Sequence, residues 1–491
     1  MRQHWLWGLI LAWSVVWGCP NAASAQTPRK MNVLLIVADD LNCDLHCYGH
    51  PQVETPHLDA LAREGVQFQH AYCQFPLCSP SRSSFLTGRR PNVTGVMKLP
   101  RAASNGIYDL EPSPHFREYI PDTVTLPQLF RQHGYEVVRI GKMYHYGVPR
   151  QIGTPGLDDE PSWDRIVNPA GRDKAEEHLV FTLTPNNYGG TLSWLASQGT
   201  DEEQTDGLIA TGAISLLESL KDRPFFLGVG FFRPHTPYVA PQKYYDRIDK
   251  NSIPLPELSE NDQKRLPAPA YLSARKVQDT MSDDLRREAI QAYHAAVSFL
   301  DAQVGRVIEA LDRLGLRDNT IVVFTSDHGY HMYEHGLWQK TSLFENSARV
   351  PLIFRAPGHA GNGSKTESLA EMLDIYPTLA DLCGLPAPEY LEGTSLRPVL
   401  DDPSRSVKDA AFTQVLRGKF YGYSIRTDRW RYTQWDNGKK GEQLFDMQND
   451  PRELHDLSAD PRCAQVKSEL KARLQVESSR PVAQPVAAAK N

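Results

Sequence analysis

The residues with the densest chemical content form the run Cys78-Ser79-Pro80-Ser81-Arg82, inside the stretch Phe75–Gly88. Pro80 lacks an N–H and has a fixed φ, so it suits the first turn of a helix. Cys78 or Ser79 then lies at the N-terminus of that helix, where free N–H groups and the helix dipole favour a thiolate or a bound oxyanion. Arg82, one turn on, can aim a planar fork of donors at the same place, and Gly88 closes the helix. Such a set supports a nucleophile beside an anion cradle. A single buried Cys is more often a small hydrophobe, so the weight of this reading comes from polar residues collected elsewhere in the chain.

Those residues sit at the ends of apolar runs. Asn32–Ala38 suits a strand buried on both faces, and it ends in Asp39-Asp40. Adjacent carboxylates repel unless a cation sits between them or one is protonated. Gly134–His145 carries a short strand and ends on Lys142 and His145; Phe225–Gly230 leads into Arg233-Pro234-His235; Thr320–Ser326 is followed by Asp327-His328, with Lys340 beyond. In open α/β sheets, ligands bind outside the carboxyl ends of the strands. Asp39, Asp40 and Asp327 make a hard-cation site suited to Ca²⁺ or Mg²⁺. Arg82, Lys142 and Lys340 surround an anion, and His145 and His235 can move protons. A solvated turn explains any one of these groups, but not the collection.

The run Cys78–Arg82, followed by Leu86-Thr87-Gly88, resembles the activation signature of the type I, formylglycine-dependent sulfatases. Gly141-Lys142 with Tyr144-His145 resembles their second signature, although Val137 departs from the usual Ser/Thr. The likeness extends over nearly the whole mature chain, through Val33–Leu41, Pro234-His235, Phe324–Gly329, Val350–Phe354 and Gly422–Thr427. Within that family it is similar to the iduronate-2-sulfatase branch, which shares His328 where most members carry Asn.

The resemblance implies that a formylglycine-generating enzyme oxidises Cys78 to an aldehyde, which hydrates to a geminal diol. One hydroxyl attacks sulfur. The second then loses its proton, and sulfate leaves as the aldehyde re-forms. It implies a metal set of Asp39, Asp40, residue 78, Asp327 and His328 around Ca²⁺, with Mg²⁺ as the alternative. It also implies a catalytic set of Cys78, Arg82, Lys142, His145, His235 and Lys340. In that set Arg82, Lys142 and Lys340 stabilise the sulfuryl oxygens, and His235 protonates the leaving oxygen. Trp338 offers an apolar face to a sugar ring. Between Tyr330 and Thr341 only Glu334-His335-Gly336, Trp338 and Lys340 match the iduronate-2-sulfatase branch, so a sulfated saccharide is expected but not a uronate in particular. The competing readings are a phosphomonoester or phosphonate hydrolase of the same superfamily and an inactive carbohydrate-binding homologue. The latter would be expected to have lost Cys78, Arg82 or a carboxylate, and all are present.

The chain of 491 residues carries a formal charge of −6, with 41% apolar and 23% charged residues, as a soluble globular protein does. Slight acidity argues against nucleic acid as the main partner. Residues 1–25 read as a signal peptide: Arg2 and His4, an apolar run from Trp5 to Trp17, then Ala23-Ser24-Ala25. Export to the periplasm or beyond is expected. Cys19 fits a lipoprotein box poorly because of Trp17, and no later stretch looks transmembrane. Setting aside Cys19 and Cys78 leaves five of the seven cysteines, an odd remainder that allows one or two bridges but no full disulfide framework.

Recurring strand–helix alternation predicts an α/β, alkaline-phosphatase-like fold, with a largely parallel sheet covered on both faces. Helices are expected over 57–64, 125–133, 208–220, 283–314 and 370–383, the fourth with a regular apolar stripe that reads as core. Residues 147–205 read as an elaborated loop over the site. The expected divisions are a catalytic domain over 26–400, a small α+β subdomain over 401–478, and a disordered Ala/Pro-rich tail over 479–491.

Overall fold

Val33, Leu35 and Val37 point to one face of strand β1 (Asn32–Asp39), and Leu34, Ile36 and Ala38 to the other. All six are fully buried, as a continuous apolar run demands of a strand covered on both faces. The structure is a computed structural model. It describes Met1, His4 and residues 30–97, 114–258 and 266–486.

β1 is central to an eight-stranded sheet. The others are β2 (Val66–Tyr72), β3 (Glu136–Gly141), β4 (Arg165–Val167), β5 (Phe225–Pro234), β6 (Thr320–Ser326), β7 (Arg349–Arg355) and β8 (Ser364–Glu371). The spatial order is β8-β2-β7-β6-β1-β5-β3-β4. β7 is antiparallel to both its neighbours, and every other pairing is parallel. The carboxyl ends of β1, β3, β5 and β6 therefore open on one edge.

Helices cover both faces. On one side lie α1 (Pro56–Glu64), α4 (Thr205–Leu220) and the long α5 (Asp283–Arg313). The other face carries α2 (Cys78–Thr87), α3 (Leu126–Gln132) and α6 (Ile375–Leu382). α5 starts at Ser282, whose hydroxyl accepts from the Leu285 N–H at 3.2 Å.

A second, antiparallel sheet runs in sequence order through β9 (Ala411–Arg417), β10 (Phe420–Arg426), β11 (Trp430–Trp435) and β12 (Glu442–Asp446). Helix α7 (Ala464–Ser478) covers one face through Leu470 and Leu474. The other face puts Val415, Trp435 and Phe445 against Leu343 and Phe344 of the main body. Buried ion pairs hold the seam: Arg431 with Glu345, and Lys408 with Glu371 at 2.9 Å.

Three expectations need correction. The helix expected over 370–383 is shorter: Ala370 and Glu371 end β8, which pairs with β2, and α6 begins only at Ile375. Helix-forming residues there are overridden by ladder pairing at the sheet edge. The segment 147–205 is not wholly loop, because β4 extends the central sheet and Ser193–Ser197 pairs with Tyr238–Pro241. The tail expected to be disordered from residue 479 is anchored at Ala483, whose N–H donates to Asn92 O at 2.7 Å, and at Val486, which donates to Glu118 O at 2.7 Å. Apart from Met1 and His4, the expected signal peptide lies outside the described residues, as do 487–491. Among the described residues, no helix is long and apolar enough to cross a membrane, and all six cysteines are unpaired.

Candidate active site

Helix α2 begins at Cys78, with Leu77 as an extended N-cap and Pro80 inside the first turn. It ends at Gly88, whose φ of 67° is the left-handed conformation that a C-terminal cap requires. Cys78 Sγ lies 3.1 Å from Lys340 Nζ, 3.4 Å from His328 Nε2 and 3.8 Å from Asp40 Oδ1. Burial opposes ionisation of this thiol, but Lys142, Lys340 and His328 prevail and hold its pKa well below the ordinary range. Position 78 is thus built to carry an anionic or strongly polarised group.

Asp39, Asp40 and Asp327 bring one carboxylate oxygen each within 4.8 Å of one another. Asp40 adopts a left-handed backbone, φ 65°. That conformation is held from three sides: Asp40 N–H donates to Asp327 Oδ1 at 3.1 Å, Leu41 N–H to Ser326 Oγ at 2.9 Å, and Tyr293 Oη to Asp40 O at 2.9 Å. Its Oδ2 is buried without a hydrogen-bond partner among the described residues. His328 Nδ1 donates to Gly329 O at 2.9 Å, which turns Nε2 toward the carboxylates, 3.3 Å from Asp40 and 3.6 Å from Asp327. Burial disfavours its imidazolium, yet Asp327 raises the pKa to about 9. This donor set fits a divalent cation: three hard oxygens, an orphaned buried oxygen and an oriented imidazole nitrogen.

Lys142 follows β3. Gly141, with φ 74°, lets the chain turn against β5, where an added Cβ would meet Gly230 O at 2.1 Å. Lys142 Nζ then reaches Asp39 Oδ2 at 2.5 Å, and Lys340 Nζ bonds Asp40 Oδ1. Despite burial, Lys142 holds Asp39 well below the usual carboxylate range. His235 Nε2 stands 3.6 Å from Asp40 Oδ2 on the opposite side, with Nδ1 donating to Thr236 O at 2.5 Å. His145 is buried beside the Cys78 thiol, and burial keeps its pKa below the ordinary imidazole value. Cys78, Lys142, His145, His235, Lys340, Asp39, Asp40, Asp327 and His328 therefore converge, as the sequence leads one to expect.

Two expected roles change. Arg82 does not face a substrate oxygen. Its Nε donates to Asp327 at 2.9 Å, Nη1 to the carbonyls of Lys142 (2.5 Å) and Met143 (3.1 Å), and Nη2 to Ala38 O (3.4 Å) and Asp39 (3.2 Å). All five donors are spent on enzyme groups, so Arg82 ties together the ends of β1, β3 and β6. Trp338 is 1% exposed, within the core and against Tyr333 at a ring separation of 5.5 Å. A ring enclosed in this way has no open face for a sugar.

Residues with no motif to flag them complete the frame. Asp206, in the first turn of α4, accepts from the N–H groups of Phe232 (3.0 Å) and Arg233 (2.9 Å). Arg233 is 2% exposed; it pairs with Asp173 and donates to Pro237 O at 3.0 Å. Together they pin the loop bearing His235. Tyr293, one of the stripe residues of α5, acts on Asp40 as well as filling the core. The only sequence signals were an Arg directly before Pro-His and a Tyr in an apolar stripe.

An α/β sheet that gathers three carboxylates, two lysines and an activated position 78 at its carboxyl edge defines a metal-assisted hydrolase of anionic esters. The Sulfatase family pattern matches residues 31–385, and the C-terminal pattern of N-sulphoglucosamine sulphohydrolase matches 333–480. The chain belongs to the sulfatase family and is a sulfuric ester hydrolase. Human iduronate 2-sulfatase is 32% identical over 93% of this chain and 94% of its own. A structure of a 2-O GAG sulfatase superposes with a TM-score of 0.69 at 25% identity, covering 93% of this chain and 96% of that one. The phosphonate monoester hydrolase of Agrobacterium radiobacter gives 0.75 at 24% identity, over 93% and 97%, a likeness of fold.

Proposed function

We propose that this chain hydrolyses sulfate esters on a sulfated saccharide, with residue 78 converted to formylglycine by a formylglycine-generating enzyme. Asp39, Asp40, Asp327 and His328 would hold Ca²⁺, or Mg²⁺ in its place. The observation that carries the reading is Cys78 at the head of a buried helix, 3.1 Å from Lys340 Nζ and facing the carboxylate cluster.

Bound there, the cation supplies Lewis-acid polarisation of the ester. Lys142 and Lys340 hold the charged sulfuryl oxygens, and donors of this kind are each worth ~10²–10³ in rate. Arg82 acts by positioning, because it fixes Asp39 and Asp327. His235 gives a proton to the leaving sugar oxygen. His145, kept below its ordinary pKa by burial beside position 78, serves as the base on that side. The apolar N-terminal run supports an exported protein.

The saccharide reading draws on the likeness to iduronate 2-sulfatase and a 2-O GAG sulfatase. A site poised for a monoanion is less suited to a phosphate monoester, which carries about −1.5 to −2 near neutrality. Steady-state kinetics on paired sulfate and phosphate esters of one sugar test this. A higher kcat/KM for the sulfate is expected, and a higher value for the phosphate would put the phosphoester reading first. Peptide mass spectrometry should find the aldehyde at position 78, and Cys78→Ala should abolish turnover.

A further inference from the structure

Two turns at one end of the C-terminal sheet bring four cations together. Arg417 ends β9 and Lys419 lies in the turn between β9 and β10, while Lys439 and Lys440 lie in the turn between β11 and β12. The turns touch: Asp436 N–H donates to Tyr421 O at 2.9 Å, and Lys440 Nζ lies 5.1 Å over the Phe420 ring. The Arg417 guanidinium lies 5.8 Å over Trp435. Lys419, Lys439 and Lys440 are exposed. None of the four has an ion-pair partner among the described residues. The nearby Glu442 is engaged by Lys467 and Lys471, which leaves Asp436 as the one acidic group within these two turns. The strip thus gathers four cations against one carboxylate in a chain of net charge −6.

The strip also reaches the reaction centre. Arg417 Nη2 donates to the carbonyl of Thr341, and Thr341 N–H donates to Pro76 O at 3.1 Å. Thr341 follows Lys340, which touches Cys78, and Pro76 precedes Leu77, the N-cap of α2. Leu77, Lys340 and Thr341 are all partly exposed, so solvent meets the catalytic residues beside Arg417. Burial with no carboxylate in reach draws the Arg417 guanidinium down to about 10, so an incoming anion would relieve an existing cost.

We propose that Arg417, Lys419, Lys439 and Lys440 form a track that binds the anionic units flanking the reacting sugar, so that the preferred substrate is an acidic oligo- or polysaccharide. The inference rests on the saccharide reading above. One exposed charge contact is worth little, but a linear polyanion engages several at once, in a salt-dependent way.

The test uses the full, converted enzyme, the triple variant Lys419→Ala/Lys439→Ala/Lys440→Ala and, separately, Arg417→Gln. Turnover of 4-nitrophenyl sulfate is measured with dextran sulfate as inhibitor, and direct binding of dextran sulfate by calorimetry. Dextran sulfate should compete with the small ester. In the triple variant its inhibition constant should rise about tenfold relative to the KM of the small ester, and the gap should close at high salt. Arg417→Gln should shift it in the same direction. Unchanged inhibition and binding constants would overturn the track. So would a duplex DNA oligonucleotide that competes as strongly and depends equally on the four residues. If neither 4-nitrophenyl sulfate nor a sulfated monosaccharide is turned over, the saccharide reading has failed on its own, and the calorimetry still decides whether the four residues bind a sulfated polymer.

Discussion

Arg82 Nε donates to Asp327 Oδ2 at 2.9 Å, and neither side chain has any exposed surface. The guanidinium also bonds Asp39, so one cation spans two of the three candidate metal ligands. Placed this way, Arg82 sets the spacing of the carboxylates and has no donor left over for an ester.

Arg82→Gln should therefore lose stability as well as rate. Removing one partner of a buried ion pair typically costs about 3–5 kcal/mol, because the other charge is left uncompensated. Urea unfolding should show that loss, and calorimetry should show weakened Ca²⁺ binding. Normal stability with only KM raised would place Arg82 on the substrate instead.

Divalent cation should stabilise the folded chain. A ligand that binds only the native state adds about 2.7 kcal/mol at a hundredfold excess over its Kd. After chelation, restoring Ca²⁺ should raise Tm and activity together. In Asp40→Asn, which alters the buried carboxylate carrying the unpartnered Oδ2, both gains should vanish. An equal rise in Tm in that variant would place the ion elsewhere.

Arg233→Met should lower kcat more than it raises KM, because Arg233 holds the His235 loop without reaching the substrate. Misplacing a catalytic group by ~1 Å can cost about a hundredfold. Arg233→Lys, which keeps the charge opposite Asp173, should recover part of the loss. The limb of the pH–rate profile that reports the proton donor should move in the Met variant, and a purely structural role would leave it in place.

Acid should unfold the seam between the main body and the C-terminal sheet first. Burial alone would raise the Glu345 carboxyl, but Arg431, Arg426 and Arg349 bring it from 4.5 to about 2. Arg90 and Lys408 do the same for Glu371, also to about 2. Both folded-state values are depressed, so this stability is complete above pH 4.5 and is lost as pH falls toward 2. Each shift corresponds to roughly 3 kcal/mol. In urea titrations across pH, Glu345→Gln should be weaker than wild type near neutrality, and the two should converge as pH falls toward 2. Parallel curves would remove Glu345 from the acid response.

The chemistry of this chain was written locally. Cys78, Asp39, Asp40, Lys142, His235 and Asp327 stand directly at or after the ends of apolar runs or in a helix-starting Pro context, so short-range pattern was enough to find them. The strand character of β1 and β6 follows from uninterrupted apolar residues, and the extent of α5 from its apolar stripe. Only the tertiary structure could assign the work of Arg82, Trp338 and Arg233. A guanidinium near a nucleophile has the same sequence whether it meets the ester or the carboxylates, and its partners Asp39 and Asp327 come from strands far apart in the chain. Trp338 likewise reads as a sugar platform until Tyr333 and the core enclose it. Ala370 and Glu371, expected to open a helix, instead end β8 because β2 offers a ladder. Propensity and motif act over a few residues, whereas burial and charge pairing depend on which distant segments fold together.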